Sequence, residues 1–247
     1  MNTEIITVKT GHTNNYIIRQ QGTIVIDAGV PGSMSRFKKA FEQFEIDYNS
    51  IELIVLTHGH WDHIGCAHRL RELTKVPVVA SEPDSQWIEK GLKSIPLPSS
   101  LWGKALLPFL LISKPFIHVE PAIVDITVKD RVFPLNSYGI DGSIIRTPGH
   151  TAGSLSVLLR TGDACVGDLL ANGLPVRFGA GIMSMGDDAE QMQGNLHFLL
   201  KLGASRFFPG HGKPFEMEKM GRHELAEHRA HHSIFMPGHA RTCSHEE

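Results

Sequence analysis

Apolar and polar positions alternate along the chain in short runs of two kinds. Ile5 to Val8, Tyr16 to Ile18 and Thr23-Ile24-Val25-Ile26-Asp27 have the length and β-branched content of strands, the last entered through a Gln20-Gln21-Gly22 turn. Ser33 is placed to cap a helix whose Phe37, Phe41 and Phe44 recur at i, i+4 and i+7 and share one face. Ile51 to Thr57 is nearly continuously apolar, which suits a strand covered on both sides. The period turns helical from Asp62 to Leu73, then Val76 to Ala80 predicts a strand and 83–90 a short helix started by Glu82-Pro83. Strand patterns resume at Ile123–Val128, Ser143–Arg146, Leu155–Leu159 and Ala164–Val166. Met192, Leu196 and Leu199 mark a helix over Asp188–Leu202, followed by a strand at Ser205–Phe208 and a last helix from Glu216 to about His232.

Two stretches lack a period. Residues 92–121 are proline-rich with an apolar middle around Trp102 and Leu106 to Ile112, and predict an inserted cap or interface segment. Residues 169–186 are glycine-rich and irregular. Strands and helices alternate in both halves, so the pattern predicts a layered α/β fold. No linker splits the chain. Residues 1–235 are expected to form one domain carrying the 92–121 insertion, with 236–247 a flexible tail.

Composition narrows the partners. At 247 residues, 41% hydrophobic and 20% charged, with a formal net charge of −2, the chain has no basic footprint for nucleic acid. No apolar run approaches the roughly 20 residues that cross a bilayer, and the first ten residues lack the charged-then-apolar plan of a secretory signal. Cys66, Cys165 and Cys243 form no CxxC, so neither a thiolate zinc site nor a disulfide framework is expected, and a reducing cytoplasmic setting is.

The 15 histidines matter through their placement. IELIVLT runs into His58-Gly59-His60-Trp61-Asp62-His63, SIIRTPG into His150, DACVG into Asp168 and ASRFFPG into His211. Each is an apolar strand pattern ending in a His or Asp, usually beside a glycine, and ligand sites of α/β folds collect at the carboxyl ends of strands. Imidazole nitrogen and carboxylate oxygen are donors for zinc at about 2.0–2.2 Å. In an extended His58-x-His60 both rings project to one side, while Asp62-His63 opens a helix. Seven candidate donors exceed one tetrahedral ion and suit two ions about 3.5–4 Å apart around a bridging hydroxide. Isolated histidines such as His12, His68, His118 and His197 are ordinary surface or hydrogen-bonded residues. So are His223, His228, His231, His232, His239 and His245, of which only His228 and His232 have an i, i+4 spacing.

The motifs THGHWDH, TPGH at 147–150, GD at 167–168 and PGHG at 209–212, with Asp27 in TIVIDAG, together resemble the metallo-β-lactamase superfamily over roughly residues 5–215. The resemblance implies a four-layer αβ/βα sandwich of two mixed β-sheets flanked by helices, the metals lying at one edge. It implies that His58, His60 and His150 hold one metal and Asp62, His63 and His211 the other, with Asp168 between them and Asp27 supporting the site from behind. It also implies a dinuclear hydrolase in which a metal-bound hydroxide attacks an activated carbonyl, with Asp62 as the catalytic carboxylate. An aspartate at 168, where the β-lactamases carry Cys or Ser, points away from lactams and toward thioesters, esters or lactones, as in the hydroxyacylglutathione hydrolase (glyoxalase) and lactonase branches. The absence of Tyr between 169 and 210 departs from the lactonases that act on acyl-homoserine lactones. A mononuclear-iron persulfide dioxygenase is the alternative on the same scaffold, since an all-N/O donor set takes two Zn, or Fe or Mn. For a small, partly apolar substrate, the expected walls are Trp102, Phe109, Phe178 and Met183, with Arg177 as an anion anchor. A homodimer through 100–112 is a further expectation.

Overall fold

The structure, a computed structural model, describes residues 3–92, 95 and 97–221. In chain order its strands and helices are β1 (Glu4–Thr10), β2 (Thr13–Arg19), β3 (Thr23–Ile26), α1 (Met34–Gln43), β4 (Ile51–Val55), α2 (Trp61–Ile64), α3 (Ala67–Thr74), β5 (Val78–Ser81) and α4 (Glu82–Glu89). They continue with α5 (Leu101–Ser113), β6 (Ile126–Val128), β7 (Val132–Pro134), β8 (Gly142–Arg146), β9 (Leu155–Leu159), β10 (Asp163–Asn172), β11 (Ala180–Ile182), α6 (Ala189–Lys201), β12 (Arg206–Gly212) and β13 (Phe215–Glu216).

Alternating side chains along the strands create the layers. Val25, Ile54 and Leu56 face one way and pack on Phe37 and Phe41 of α1, Ala67 and Leu70 of α3, and Ile88 of α4. Their neighbours Ile24, Ile26, Leu53 and Val55 face the other way, into a core shared with Ile144, Leu155, Val157, Leu159, Cys165 and Phe208. On the far side, Ala164, Val166 and Phe207 pack against Met192, Leu196 and Leu199 of α6. The result is helix, sheet, sheet, helix, the expected α/β sandwich. Because both faces of the central strands are covered, their sequences read as unbroken apolar runs.

The strand order is β6-β5-β4-β3-β2-β12-β10-β9-β8-β7. The β3–β4, β4–β5, β5–β6 and β10–β12 pairs are parallel. β2–β3 and β8–β9 are antiparallel, so both halves are mixed. The halves meet through a single paired position, Thr13 opposite His211. This seam brings β2 to the site.

Burial dominates over capping in α1. Ser33 occupies the N-cap position but makes no capping bond, its hydroxyl donating instead to the Val30 carbonyl at 2.7 Å. A cap contributes about 1 kcal/mol. Fully burying Phe37 and Phe41 contributes about 1.5–3 kcal/mol each, so packing fixes the helix.

Several expectations are corrected. The 62–73 helix is broken at Gly65-Cys66 into α2 and α3, where Gly65 N–H and Cys66 N–H donate to the carbonyls of Gly29 and Ala28. Residues 92–121 contain α5, with Pro108 inside it. The irregular 169–186 stretch holds the end of β10 and all of β11. In place of a helix from Glu216, Phe215–Glu216 pairs with β12 and Met217–Lys219 forms one 3-10 turn. The remainder of that expected helix, the six C-terminal histidines from His223 to His245, Cys243 and the expected tail lie outside the described residues. Cys66 and Cys165 are buried and free.

Candidate metal centre

The chain segments after β4, after β8, within β10 and near the end of β12 converge on one spot. His58 and His60 lie in the extended connection leaving β4, and His60 caps α2, which carries Asp62 and His63. His150 sits in the turn after β8. Asp168 and His211 lie inside their strands and not beyond the tips, which corrects the strand-end expectation. In β10 the pairing register with β12 shifts on either side of Gly167, whose φ is +50°, so the strand kinks toward the site and then continues. Gly210 is required beside His211, because a Cβ there would overlap Asp168 Oδ1 and His63 Cε1.

Within each of three groups the donor atoms lie within 4.8 Å of one another: His58, His60 and His150; His58, His63 and Asp168; Asp62, His63 and His211. Asp168 Oδ2 is 3.5 Å from His150 Nε2, 3.3 Å from His211 Nε2 and 3.9 Å from His58 Nε2. Its Oδ1 is 3.4 Å from His63 Nε2. Asp62 Oδ2 is 3.3 Å from His211 Nε2 and 3.8 Å from His63 Nε2. Neighbouring ligands of a tetrahedral zinc stand about 3.4 Å apart, so these spacings are those of donors around an ion.

Three of those inward atoms, His58 Nε2, His63 Nε2 and Asp168 Oδ1, are buried without a hydrogen-bond partner among the described residues. A buried polar atom left unpaired costs about 1–3 kcal/mol. Gathered within 4.8 Å of one another, they are placed as donors that an ion between them would satisfy. The outward nitrogens are tied down. His63 Nδ1 is 2.8 Å from Asp27 Oδ2, His150 Nδ1 2.8 Å from the Met185 carbonyl, and His211 Nδ1 3.1 Å from the His12 carbonyl. Donating Nδ1–H outward keeps Nε2 as the inward donor atom. His60 differs, turning Nδ1 to within 2.9 Å of His150 Nε2.

Asp27 holds no place among the inward atoms. It has φ +63°, a left-handed backbone that points its carboxylate back under the cluster. There it accepts from Thr57 N–H at 2.7 Å and Thr57 Oγ1 at 2.9 Å, as well as facing His63.

Electrostatics split the histidines. Burial pushes His58 well below its usual value, helped by neighbouring histidines, and pushes His60 down to about 3 and His150 down as well. Burial also opposes charge on His63 and His211, but the carboxylates overcome it. Asp168, Asp27 and Asp62 hold His63 well above its usual value, and Asp168 and Asp62 push His211 up to about 10. In return the imidazolium neighbours outweigh burial and hold Asp62 and Asp168 ionised.

Of the seven residues only Asp62 is half-buried; the others are buried, so the centre opens on its side. Among the expected walls, Trp102 Nε1 donates to the Pro175 carbonyl at 2.7 Å and its ring meets Phe178 edge-on at 4.7 Å. Arg177 donates to the Ile182 carbonyl, Met183 is packed in the α6 core, and Phe109 is 82% exposed. Sequence reasoning missed Thr13, whose hydroxyl donates to Asp62 Oδ2 at 3.1 Å, and Trp87, stacked on His60. It also missed Asp84, which accepts from Gly59 N–H and from Thr151 Oγ1, both at 2.8 Å. None of the three lies in a motif.

The family model of the metallo-β-lactamase superfamily matches residues 8–211, and the chain belongs to that superfamily. A probable metallo-hydrolase of Methanocaldococcus jannaschii is 27% identical over 206 residues, covering 81% of this chain and 88% of its own length. The hydroxyacylglutathione hydrolase GloC of Haemophilus influenzae is 27% identical over 176 residues, 70% of this chain and 74% of the relative. A metallo-β-lactamase family protein of Thermus thermophilus shares the fold with a TM-score of 0.62 at 19% identity, covering 94% of this chain and 79% of that one. A metallo-β-lactamase of Cronobacter sakazakii does so with a TM-score of 0.59 at 21% identity, over 94% and 81%.

Proposed function

We propose that the chain is a metal-dependent hydrolase cleaving an activated carbonyl, a thioester, ester or lactone, in a small and partly apolar substrate. The observation that carries this reading is the convergence of three unpaired buried donor atoms, His58 Nε2, His63 Nε2 and Asp168 Oδ1, inside a cage of His and Asp. Two divalent ions, zinc first and iron or manganese as the alternatives the same donors accept, would be held by His58, His60 and His150 and by Asp62, His63 and His211, with Asp168 shared between them. Such ions supply Lewis acidity toward a carbonyl oxygen and acidify bound water toward neutral pH.

The chain's own residues set orientation and proton traffic. Thr13 pins one oxygen of Asp62, and the half-buried, ionised carboxylate stands at the open side, where it would help hold the ion nearest an incoming substrate. Asp27, Met185 and His12 hold the imidazoles in their tautomers. The likeness to GloC favours a thioester, and Asp168 in place of Cys or Ser argues against lactams. On this reading residues 1–235 act as one unit with 92–121 as its cap. Trp102, Phe178 and Arg177 would line the approach. The buried free thiols suit a reducing cytoplasm. The test is elemental analysis of the purified protein with a panel of thioesters, esters, lactones and phosphodiesters, Asp62→Ala serving as the blank. Turnover of a carbonyl substrate, lost by about a hundredfold or more in Asp62→Ala, is expected. One iron per chain with oxygen consumption would replace this reading with the dioxygenase.

A further inference from the structure

Helix α5 wears its apolar side chains on the outside. Leu101, Phe109 and Ile112 are 84%, 82% and 72% exposed, and Phe116 just beyond the helix is 88% exposed. At 100° per residue, Leu101, Ala105, Pro108, Phe109 and Ile112 fall within an arc of about 100°, and all five are exposed. Scattered exposed apolar residues are normal, but a contiguous stripe marks a contact surface. The helix is anchored through its first turn. Ser100 Oγ accepts from Gly103 N–H at 3.0 Å and donates to the Ser184 carbonyl at 3.1 Å. A Cβ at Gly103, the one buried residue among those described in α5, would overlap that same carbonyl. Trp102, next to the stripe on the helix, meets the Phe178 ring and donates to the Pro175 carbonyl, which places Leu174 and Phe178, 62% and 65% exposed, beside it.

Charge selects the occupant. The chain as a whole is net negative, yet between Glu89 and Glu120, the latter paired with Arg69, it carries only lysines as charged residues: Lys90, Lys104, Lys114 and, outside the described residues, Lys93. The facing segment 169–186 carries Arg177 as its charged residue, with Asp187 and Asp188 following it. Lys104 and Lys114 are exposed. In a two-fold dimer this face would meet itself, bringing the exposed Lys104 and Lys114 of the two copies together. An acidic surface with an apolar layer beneath it satisfies both features. With 13 residues α5 is too short to span a bilayer, which takes about 20, so it would lie along the interface.

We infer that α5, with Phe116, Leu174 and Phe178, docks the protein on an anionic phospholipid bilayer. Its apolar stripe enters the headgroup boundary and its lysines meet the lipid phosphates. The docking face is close to the metal centre along the chain. Pro98 pairs with Met185, whose carbonyl faces His150 Nδ1. Resting on the proposed hydrolase reading, this makes amphiphilic acyl esters or thioesters, delivered from the membrane, the substrate class. The docking itself does not depend on that reading.

The test is co-sedimentation of the full-length protein with phosphatidylcholine vesicles and with mixed phosphatidylcholine–phosphatidylglycerol vesicles. Wild-type protein should sediment with the mixed vesicles, more weakly with phosphatidylcholine alone, and be released by about 1 M NaCl, where the screening length is about 3 Å. Each lysine at an anionic surface contributes about a fivefold change in partition, so Lys104→Gln with Lys114→Gln should weaken binding about 25-fold. Phe109→Ser with Ile112→Ser should weaken it about tenfold or more. All four side chains are exposed, so the melting temperature of each double variant should match wild type and folding is not at issue. Absence of wild-type binding to the mixed vesicles, or undiminished binding by the lysine variant, overturns the proposal. So does a solution dimer that Phe109→Ser dissociates in a protein that ignores vesicles, which would assign the face to a second copy.

Discussion

Replacing Asp84 tests whether the metal centre is held together from behind. Asp84 lies in the first turn of α4 and is 1% exposed. Its Oδ2 accepts from Gly59 N–H, between His58 and His60, and from the hydroxyl of Thr151, which follows His150. One carboxylate oxygen therefore ties together two loops that carry three of the seven candidate ligands. Burial raises its pKa, and the bonds from Thr151 and Gly59 oppose the rise. In Asp84→Ala the Gly59 N–H loses its partner, while Thr151 can turn to Ser154 Oγ, 3.0 Å away. One orphaned donor and one lost charge-assisted bond amount to about 2–5 kcal/mol. For a chain of this length that lowers the melting temperature by roughly 5–15 °C. The slackened ligand loops should also lose about 10- to 100-fold in metal affinity. Asp84→Asn keeps an oxygen for both bonds but loses the charge that strengthens them, so it should cost about 1–2 kcal/mol, less than alanine. Scanning calorimetry of the metal-free protein and competition with a chromophoric chelator read the two quantities. An Asp84→Ala protein that melts within a degree or two of wild type and binds metal with unchanged affinity would refute the reasoning.

Metal uptake should release protons. His63 and His211 are raised, His211 to about 10, and so are protonated in the metal-free protein at neutral pH, whereas His58, His60 and His150 are lowered and already neutral. Titration calorimetry in buffers of different ionisation enthalpy should count about two protons, with the His211 proton alone making affinity rise about tenfold per pH unit between pH 7 and 9; no release would contradict the assignment. The sign for stability is opposite. The raised His211 stabilises the metal-free fold fully below its usual value near 6.5, and that contribution fades as pH rises toward about 10, which alkaline melting curves should show. Gly210→Ala places a methyl against Asp168 and His63, so metal content should fall well below wild type with the fold retained by circular dichroism.

The sequence disclosed those parts of the site that ride on strongly patterned strands. His58 to His63 follow β4, whose residues are covered on both faces, so the apolar run ends where the chemistry begins. Asp168 and His211 were legible as residues but not as positions, since the kink at Gly167 lets β10 pass through the site and carry on. Asp84 and Thr13 were invisible because their partners are a backbone N–H and a carboxylate reached across 25 and 49 residues. Helix α5 left no period because it is apolar on both sides: the half-buried Leu106, Leu107 and Leu110 lie opposite the exposed stripe, and Lys104 is the one charge among its residues. The three-residue strands β7 and β11 are too short to show alternation.

Metal stoichiometry against Asp168 tests the central claim most directly. Mass spectrometry of the metal-loaded wild type under native conditions should show two divalent ions per chain, and Asp168→Ala, which removes the carboxylate shared by both donor groups, should hold one or none. A wild-type chain that takes up no divalent metal, or an Asp168→Ala chain that still binds two, would contradict it.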